Sequence, residues 1–186
     1  MKPELKTTGE TEFSRVLDIS NMEPGKRYDF DFSANANERN KLADRCKIRS
    51  IDKFNVSLRV NYPVAGPSIF IEGSFEASIT QSCIVSLEDV PQSIKATFDL
   101  ECMDESLITE EYEEEDFEDF IEPISNNKLD LAEIATQYLA LEIDPYPRKK
   151  GAEADVTTSV NSAAEKAEDT QRPFENLSEL LKKSSE

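Results

Sequence analysis

The chain has no histidine and no tryptophan, and only three cysteines and five glycines among its 186 residues. Without histidine a Ser-His-Asp triad is excluded, and a structural zinc site has too few ligands. The five glycines include no GxGxxG or Walker arrangement, which excludes the glycine-rich loops that hold phosphate groups. The composition therefore predicts no catalytic residue, no metal site and no bound cofactor.

Long apolar runs are also missing. No stretch approaches the ~20 apolar residues that a membrane span needs, and the N-terminal ten residues lack the apolar core of a secretory signal. Cys46, Cys83 and Cys102 are odd in number and widely spaced, which fits free thiols in a reducing compartment. We therefore expect a cytoplasmic protein.

Basic residues are scarce in one part of the chain. Residues 101–147 hold one lysine and 16 acidic residues, and so contribute −15 of the formal net charge of −18. An acidic chain repels the phosphates of nucleic acid instead of releasing their counterions. The overall charge therefore argues against non-specific nucleic-acid binding, although residues 1–100 are near neutral.

Alternating apolar residues predict a β-sheet organised around a central strand within residues 68–87. The clearest runs are residues 28–32, 54–62, 69–83 and 94–102, with a weaker one at 13–19. Short connections favour antiparallel pairing, with a hairpin about Glu88 and Asp89 that places Cys83 near Ile94. Gly73 interrupts the central strand, which indicates a bulge or a close backbone approach.

Two segments show helical periodicity. Asn35 begins one at residues 35–48, with Glu38 three residues on as in a capping box. Asp130 caps the other, and its apolar stripe consists of Leu131, Ile134, Ala135, Tyr138 and Leu141. Beyond it, Ile143 and Tyr146 are candidate anchors to the core. The predicted class is α+β, with an antiparallel, strongly bent sheet (a partial barrel) covered by two helices.

The composition changes along the chain predict four parts. They are a disordered N-terminus (1–11), an α+β domain (12–147) that includes an acidic loop (104–127), a flexible linker (148–171) and a short helical motif (172–183).

Two charged clusters are candidate binding sites, and each has a simpler alternative. The basic cluster is Arg39, Lys41, Arg45, Lys47 and Arg49. It is either a solvated helix face, which we favour, or a contact surface for RNA phosphates that lacks interleaved aromatic residues. The acidic cluster includes Glu110, Glu111, Glu113, Glu114, Glu115 and Asp116. It is either a solvated loop or a segment that attracts a basic partner, because aromatic residues are scattered through it.

The C-terminal motif RPFENLSELLKK is a candidate docking helix. Its apolar residues fall on one helical face, and with the residues beside them they form the predicted partner-binding set: Pro173, Phe174, Leu177, Leu180, Leu181 and Lys182. An isolated helix this short is marginal in water. The tether of some twenty residues that precedes it is typical of a helix that docks in a groove of another molecule.

Four segments in this order resemble the YceD family of bacterial and chloroplast proteins. They are IEGSFEASITQSC followed by IVSLEDV, the acidic block, LDLAEIATQYLALEIDPYPR and RPFENLSELLKK, and the resemblance covers residues 12–182. It maps the family's Asp-Leu helix start onto Asp130 and Leu131, and its Pro-Phe motif onto the C-terminal segment. Many members carry CxxC after the central strand, whereas here Ser86 stands at the second cysteine's position, which suggests that Cys83 is a small buried apolar residue.

The resemblance implies a non-enzymatic factor in ribosome assembly that supports maturation or accumulation of large-subunit ribosomal RNA. The leading hypothesis is binding of a basic ribosomal protein or assembly factor through the acidic block and the C-terminal motif, by a protein that is a monomer outside its complex. The alternative is direct RNA binding through the basic cluster at residues 39–49. A nuclease or other hydrolase would need a metal or a general base, and the sequence offers neither.

Overall fold

The computed structural model describes residues 3–7, 11–108 and 121–152. The chain divides into two units, Met1–Lys150 and Gly151–Glu186, and only Gly151 and Ala152 of the second are described. The described part of the first unit is an α+β domain, which confirms the predicted class. Its elements are β1 (Val16–Asp18), a 3₁₀ helix (Ile19–Asn21), β2 (Lys26–Ser33), α1 (Ala36–Cys46), β3 (Ser50–Tyr62), β4 (Ile69–Ser82), β5 (Asp89–Asp104), a second 3₁₀ helix (Glu105–Leu107), β6 (Ile121–Ile124), β7 (Lys128–Asp130) and α2 (Leu131–Glu142).

The main sheet has the strand order β2-β3-β4-β5-β6. Strands β2 to β5 are antiparallel, as predicted, but β6 runs parallel to β5, so the prediction of a wholly antiparallel sheet is wrong. Sixteen residues, 105–120, separate these two strands, and a parallel pair needs a connection of about a dozen residues or more. As far as the structure is described, β2 and β6 are the edges, so the sheet does not close into a barrel.

The inner face of this sheet forms the core together with both helices. Val56, Phe75 and Ala96 face one another across β3, β4 and β5, and neighbouring rows are equally apolar. Leu42 of α1 and Leu139 of α2 are fully buried against the same core. Burial of the alternate apolar residues is the main favourable contribution to folding. Neither described helix is long and apolar enough to cross a membrane.

Gly73 leaves room for an aromatic ring to pack over the central strand. It pairs with Leu58 on one side and Phe98 on the other, and the register shift in the β3–β4 ladder lies elsewhere, between Ile51 and Lys53. A Cβ atom on Gly73 would lie 2.7 Å from Leu58 Cδ2 and still closer to the ring of Phe98. The prediction of a close approach is therefore correct, and the alternative of a bulge at Gly73 is wrong.

A small second sheet joins β1 to β7. Val16 pairs with Asp130, so the weakly alternating N-terminal run contributes a three-residue strand outside the main sheet. A tight turn leads into β7, with Asn126 and Asn127 at φ 54° and 55°, as in the type I′ turns of hairpins. Strand β6 and this turn occupy residues that were predicted to belong to the acidic loop 104–127.

The two helix starts agree with the predictions, but one apolar stripe does not. Asn35 caps α1 in a complete capping box, and Asp130 caps α2. The buried face of α2 is centred near Ala135 and includes Leu139, whereas Leu141 is 78 % exposed. At 3.6 residues per turn, Leu141 lies about 120° around the helix from Ala135. Beyond α2, Ile143 is partly buried but Tyr146 is 71 % exposed, so only the first of these predicted anchors contacts the core.

Candidate partner-binding surfaces

The side chain of Arg39 is held by the backbone of its own domain. Its Nε donates to the carbonyl of Ile51 at 3.1 Å, and its Nη1 donates to the carbonyl of Ala34 at 2.7 Å. These bonds tie the beginning of α1 to strand β3. Arg39 therefore contributes to the fold, with two of its five donors bound to backbone carbonyls of its own domain.

Arg45 and Arg49 are also paired within the domain. Arg45 donates to both carboxylate oxygens of Glu133, at 2.8 and 2.6 Å, which joins α1 to α2 and raises the Arg45 pKa. Arg49 Nε lies 3.0 Å from Asp89 Oδ1, and its Nη2 donates to the carbonyl of Leu87 at 2.6 Å. The two guanidinium groups therefore stabilise contacts between elements.

Lys41 and Lys47 remain exposed, and neither has an ion-pair partner among the described residues. Lys47 ends α1 with a left-handed backbone, φ 56°, which turns the chain toward β3. The five predicted cations therefore do not form one free patch. Three of them are paired internally, and two lysines face solvent.

The opposite face of the main sheet carries a groove, which we call the outer groove. It has a volume of about 1100 Å³. Its charged lining residues are Asp29, Asp31, Arg59, Glu72, Asp99 and Glu101, with Phe70 beside them. Five acids and one arginine give this lining a net charge of −4. The groove is therefore strongly acidic although residues 1–100 as a whole are near neutral.

Strand register places these charges in rows across the sheet. Asp29 of β2, Arg59 of β3, Glu72 of β4 and Asp99 of β5 are successive partners in one row. Arg59 lies 2.9 Å from Asp29 and 3.8 Å from Glu72, so a single cation is shared between two acids. This row keeps an excess of negative charge.

Three acids of the groove have no cationic partner among the described residues. Asp31 accepts a hydrogen bond from the Ser57 hydroxyl at 2.7 Å, while Asp99 and Glu101 form no ion pair in the described residues. The nearby lysines are used elsewhere, because Lys53 and Lys95 both bind Glu76, at 2.8 and 2.6 Å. These two lysines lower the Glu76 pKa to about 2.

Phe70 is an exposed aromatic residue at the same surface. Its side chain is on the solvent face of β4 and is 43 % exposed. It pairs across the sheet with Asn61 of β3 and Glu101 of β5, so an apolar ring adjoins an unpaired carboxylate. A lysine or arginine side chain can satisfy both neighbours, because its stem is apolar and its end is charged.

A second candidate site is the turn between β4 and β5. Ser82 pairs with Asp89, and Ala77 rather than Cys83 lies opposite Ile94, so the predicted hairpin register is wrong. The cause is a longer connection: residues 83–88 lie outside the ladder, and within this connection the N–H of Leu87 donates to the carbonyl of Cys83 at 3.0 Å. Cys102 is opposite Ile69, far from this turn along β4, and all three cysteines are free thiols as predicted.

Cys83 is buried in this turn, but its sulfur is hydrogen-bonded. Sγ accepts from the backbone N–H of Lys149 at 3.3 Å and from those of Ser86 and Val85 at 3.4 Å. The Lys149 and Ser86 bonds in particular lower the pKa of the Cys83 thiol to about 6. Cys83 is therefore buried, as expected, but it does more than fill apolar space, since these donors stabilise its thiolate form.

Residues after α2 close over this turn. The carbonyl of Pro147 accepts from the N–H of Ile84 at 2.9 Å, and the ammonium of Lys149 lies 2.6 Å from Glu88 Oε1. Burial of Cys83 therefore depends on residues 147–149, more than sixty positions away in sequence. No group of three or more acidic or cysteine side chains among the described residues is arranged to hold a metal ion.

Comparison with protein-family profiles identifies the family of the chain. The profile described as "Large ribosomal RNA subunit accumulation protein YceD" matches residues 71–181. The chain belongs to the YceD family. The matched region of this YceD-family member includes β4 apart from its first two residues, the 83–88 turn, β5 and α2, while β1 to β3 and α1 precede it. No curated protein and no solved structure matches the chain significantly.

Two predicted binding segments of this YceD-family member lie outside the described residues. They are the acidic cluster Glu110 to Asp116 and the C-terminal motif at residues 172–183. Their roles stay predictions.

The outer groove was missed by sequence reasoning. Asp29 and Asp31 are exposed residues of one strand, and taken alone they indicate only a solvated face. Alternation identified the solvent face of each strand, but only the register shows that acids of β2, β4 and β5 share one surface. The available signal was the excess of acids at the solvent-facing positions of adjacent strands.

Proposed function

We propose that the protein is a non-enzymatic ribosome-biogenesis factor that acts in the cytoplasm. It supports maturation or accumulation of large-subunit ribosomal RNA by binding a basic ribosomal protein or assembly factor, and it is a monomer outside that complex. Membership of the YceD family, whose description refers to large ribosomal RNA subunit accumulation, carries this proposal. The net charge of −18 supports a basic protein as the partner in preference to RNA.

Binding through protein contacts is also supported by the contacts that the basic cluster makes within its own domain. Arg39, Arg45 and Arg49 bind groups of their own domain, which leaves Lys41 and Lys47 as the free cations of that cluster. Nucleic-acid affinity depends on how many phosphates are neutralised. Two lysines without neighbouring aromatic residues are a weak basis for direct RNA binding.

A deletion strain tests the proposed role in ribosomal RNA accumulation. We expect it to accumulate less mature large-subunit ribosomal RNA relative to small-subunit RNA, and we expect the wild-type gene to restore the ratio. An unchanged ratio in the deletion strain would contradict the proposed function.

The RNA-binding alternative is tested in the same strain with Lys41→Gln combined with Lys47→Gln. Both side chains are exposed and unpaired among the described residues, so the fold should be retained. Protein-mediated binding predicts full restoration of the RNA ratio. Loss of restoration together with loss of RNA binding by the purified variant would favour the alternative. Arg39 and Arg45 are unsuitable for this test because their loss would disturb the domain.

A further inference from the structure

The outer groove lies on the exposed face of the main sheet, and nothing in the described structure covers it. The inner face is buried under both helices, whereas the side chains of Arg59 and Glu72 on the outer face are 51 % and 72 % exposed. A face that only needed to remain soluble would carry charges of both signs in balance. The part of this face that lines the groove is not balanced: it has five acids, one arginine and a partly exposed phenylalanine around about 1100 Å³ of open volume.

The charges of the groove match a cationic ligand. Its net charge of −4 repels phosphate, and the chain itself carries −18, which opposes a second copy on this face. Asp31, Asp99 and Glu101 form no ion pair within the described residues, so an incoming lysine or arginine would displace no existing ion pair at these acids.

The spacing of these acids fits an extended chain. Asp99 and Glu101 are alternate residues of β5 on one face, so they lie about 6.6 Å apart. Alternate side chains of an extended peptide have the same spacing. A segment with cations at every second position would therefore meet both carboxylates, and the apolar stem of the cation at Glu101 would lie beside Phe70, the partner of Glu101 on β4.

We infer that the outer groove is the docking surface for an extended, lysine- or arginine-rich segment of the protein partner. This inference rests on the proposed function, because it supplies the surface through which the basic partner is held. Phe70 provides an apolar contact for the stems of the bound side chains, and the unpaired carboxylates set the charge preference. The groove acts in addition to the predicted acidic cluster at residues 110–116.

Binding is tested with a fluorescent twelve-residue peptide in which arginine alternates with threonine, added to the full-length protein at low salt. We expect the groove variant Asp99→Asn with Glu101→Gln to bind about tenfold more weakly than wild type. The control variant Asp52→Asn with Glu142→Gln removes the same charge from exposed positions outside the groove. It should bind like wild type. Equal affinity of wild type and groove variant, or equal loss in both variants, would overturn the inference.

Crosslinking from position 70 identifies the molecule that occupies the outer groove. A photoreactive benzoylphenylalanine in place of Phe70 should crosslink to the added peptide. Crosslinking to residues 153–186 of the same chain, to a second copy, or to a single-stranded RNA probe in preference to the peptide would assign the groove to a different ligand and refute our inference. As a second variant, Phe70→Thr retains a good strand residue and should weaken peptide binding severalfold without changing the melting temperature.

The groove and control variants, expressed in the deletion strain, separate this inference from the proposed function. If wild type restores the ribosomal RNA ratio and the groove variant does not, both stand. If wild type and groove variant restore it equally, the groove inference fails and the proposed function stands. If the deletion strain has no RNA defect, the proposed function fails, and peptide binding alone decides whether the groove takes basic segments.

Discussion

At the scale of single residues, Cys83 shows how a turn can change the chemistry of a side chain. Its sulfur is inaccessible to solvent, yet it accepts hydrogen bonds from the backbone of Lys149, Ser86 and Val85. Burial alone would raise the pKa of a thiol, but these donors lower the pKa of Cys83 to about 6. Burial has the expected effect on Cys102, whose pKa is raised to about 12.

We predict that the stability of the domain rises between pH 6 and about pH 8.5. Across this range the unfolded thiol still holds its proton while the folded Cys83 has lost it, so the unfolded state binds more protons and the free energy of unfolding increases with pH. This contribution is complete above the unfolded pKa and is lost as the pH falls through about 6. Since the chain has no histidine, few other groups titrate in this range. Urea unfolding at several pH values measures the slope.

The matched variants for this prediction are Cys83→Ala and Cys46→Ala. The first should be less stable than wild type and should lose the slope. The second should keep it, because burial raises the Cys46 pKa out of this range. A slope that survives in Cys83→Ala would show that another group is responsible.

We also predict that Gly73→Ala destabilises the domain by about 1–3 kcal/mol, because the added methyl group would overlap the ring of Phe98 and Leu58 Cδ2. Chemical unfolding of the variant measures the loss. Ser74→Ala is the control, since Ser74 is the next residue and lies on the solvent side of β4. Combining Gly73→Ala with Phe98→Leu should cost less than the sum of the two single changes. Strict additivity would mean that the two residues are not in conflict.

At the scale of elements, the start of α1 is fixed by a salt bridge from outside the helix. Arg15 Nη1 and Nη2 lie 2.9 and 3.2 Å from the two carboxylate oxygens of Glu38, which also accepts from the N–H of Asn35 at 2.7 Å. Burial opposes ionisation of Glu38, but the bonds from Arg15 and Asn35 outweigh it and lower its pKa. The capping box and the pairing with the N-terminal segment therefore depend on the same carboxylate.

We predict that Arg15→Met destabilises the domain by about 2–3 kcal/mol, because it leaves the carboxylate of Glu38 buried without its partner. The double variant Arg15→Met with Glu38→Gln should recover part of this loss, since no uncompensated charge remains. Urea unfolding of wild type, both single variants and the double variant gives the coupling energy. A double variant as unstable as the sum of the single variants would contradict this account.

Local sequence patterns predicted the elements whose burial follows a simple period. Strands β2 to β5 and both helix caps were found because apolar alternation and capping residues are local signals. Strand β6 was missed because its parallel pairing with β5 depends on a distant partner. Leu141 was misplaced because the centre of the buried face of α2 is set by packing, and periodicity alone leaves that rotation open.

The candidate sites were harder to predict than the fold for the same reason. The positions of Arg39 and Arg45 in one short segment indicated a basic patch, but the carbonyl of Ile51 and the carboxylate of Glu133 that bind them come from other elements. The outer groove likewise exists only once register brings four strands together, β2 to β5. The family assignment came from the order of four sequence segments and not from local periodicity. The profile match over residues 71–181 confirms the YceD family.

At the scale of the whole molecule, the first unit ends at Lys150, just after the contact of Lys149 with Cys83. The predicted docking motif at residues 172–183 belongs to the second unit. We predict that Phe174→Ala combined with Leu177→Ala leaves the melting temperature of the first unit unchanged and weakens partner binding. Calorimetry and a binding assay with large-subunit precursors give the two readings. A drop of several degrees in melting temperature would show that this motif stabilises its own domain.

The contact between Gly73 and Phe98 also constrains how this protein could have diverged from its relatives. A larger residue at position 73 conflicts with the side chains at positions 98 and 58 as they now stand. A smaller side chain at position 98 removes the closer of these conflicts, so we expect it to precede a larger residue at position 73. An alignment of family members should therefore show the two positions changing together, and reconstructed ancestors should reveal that order.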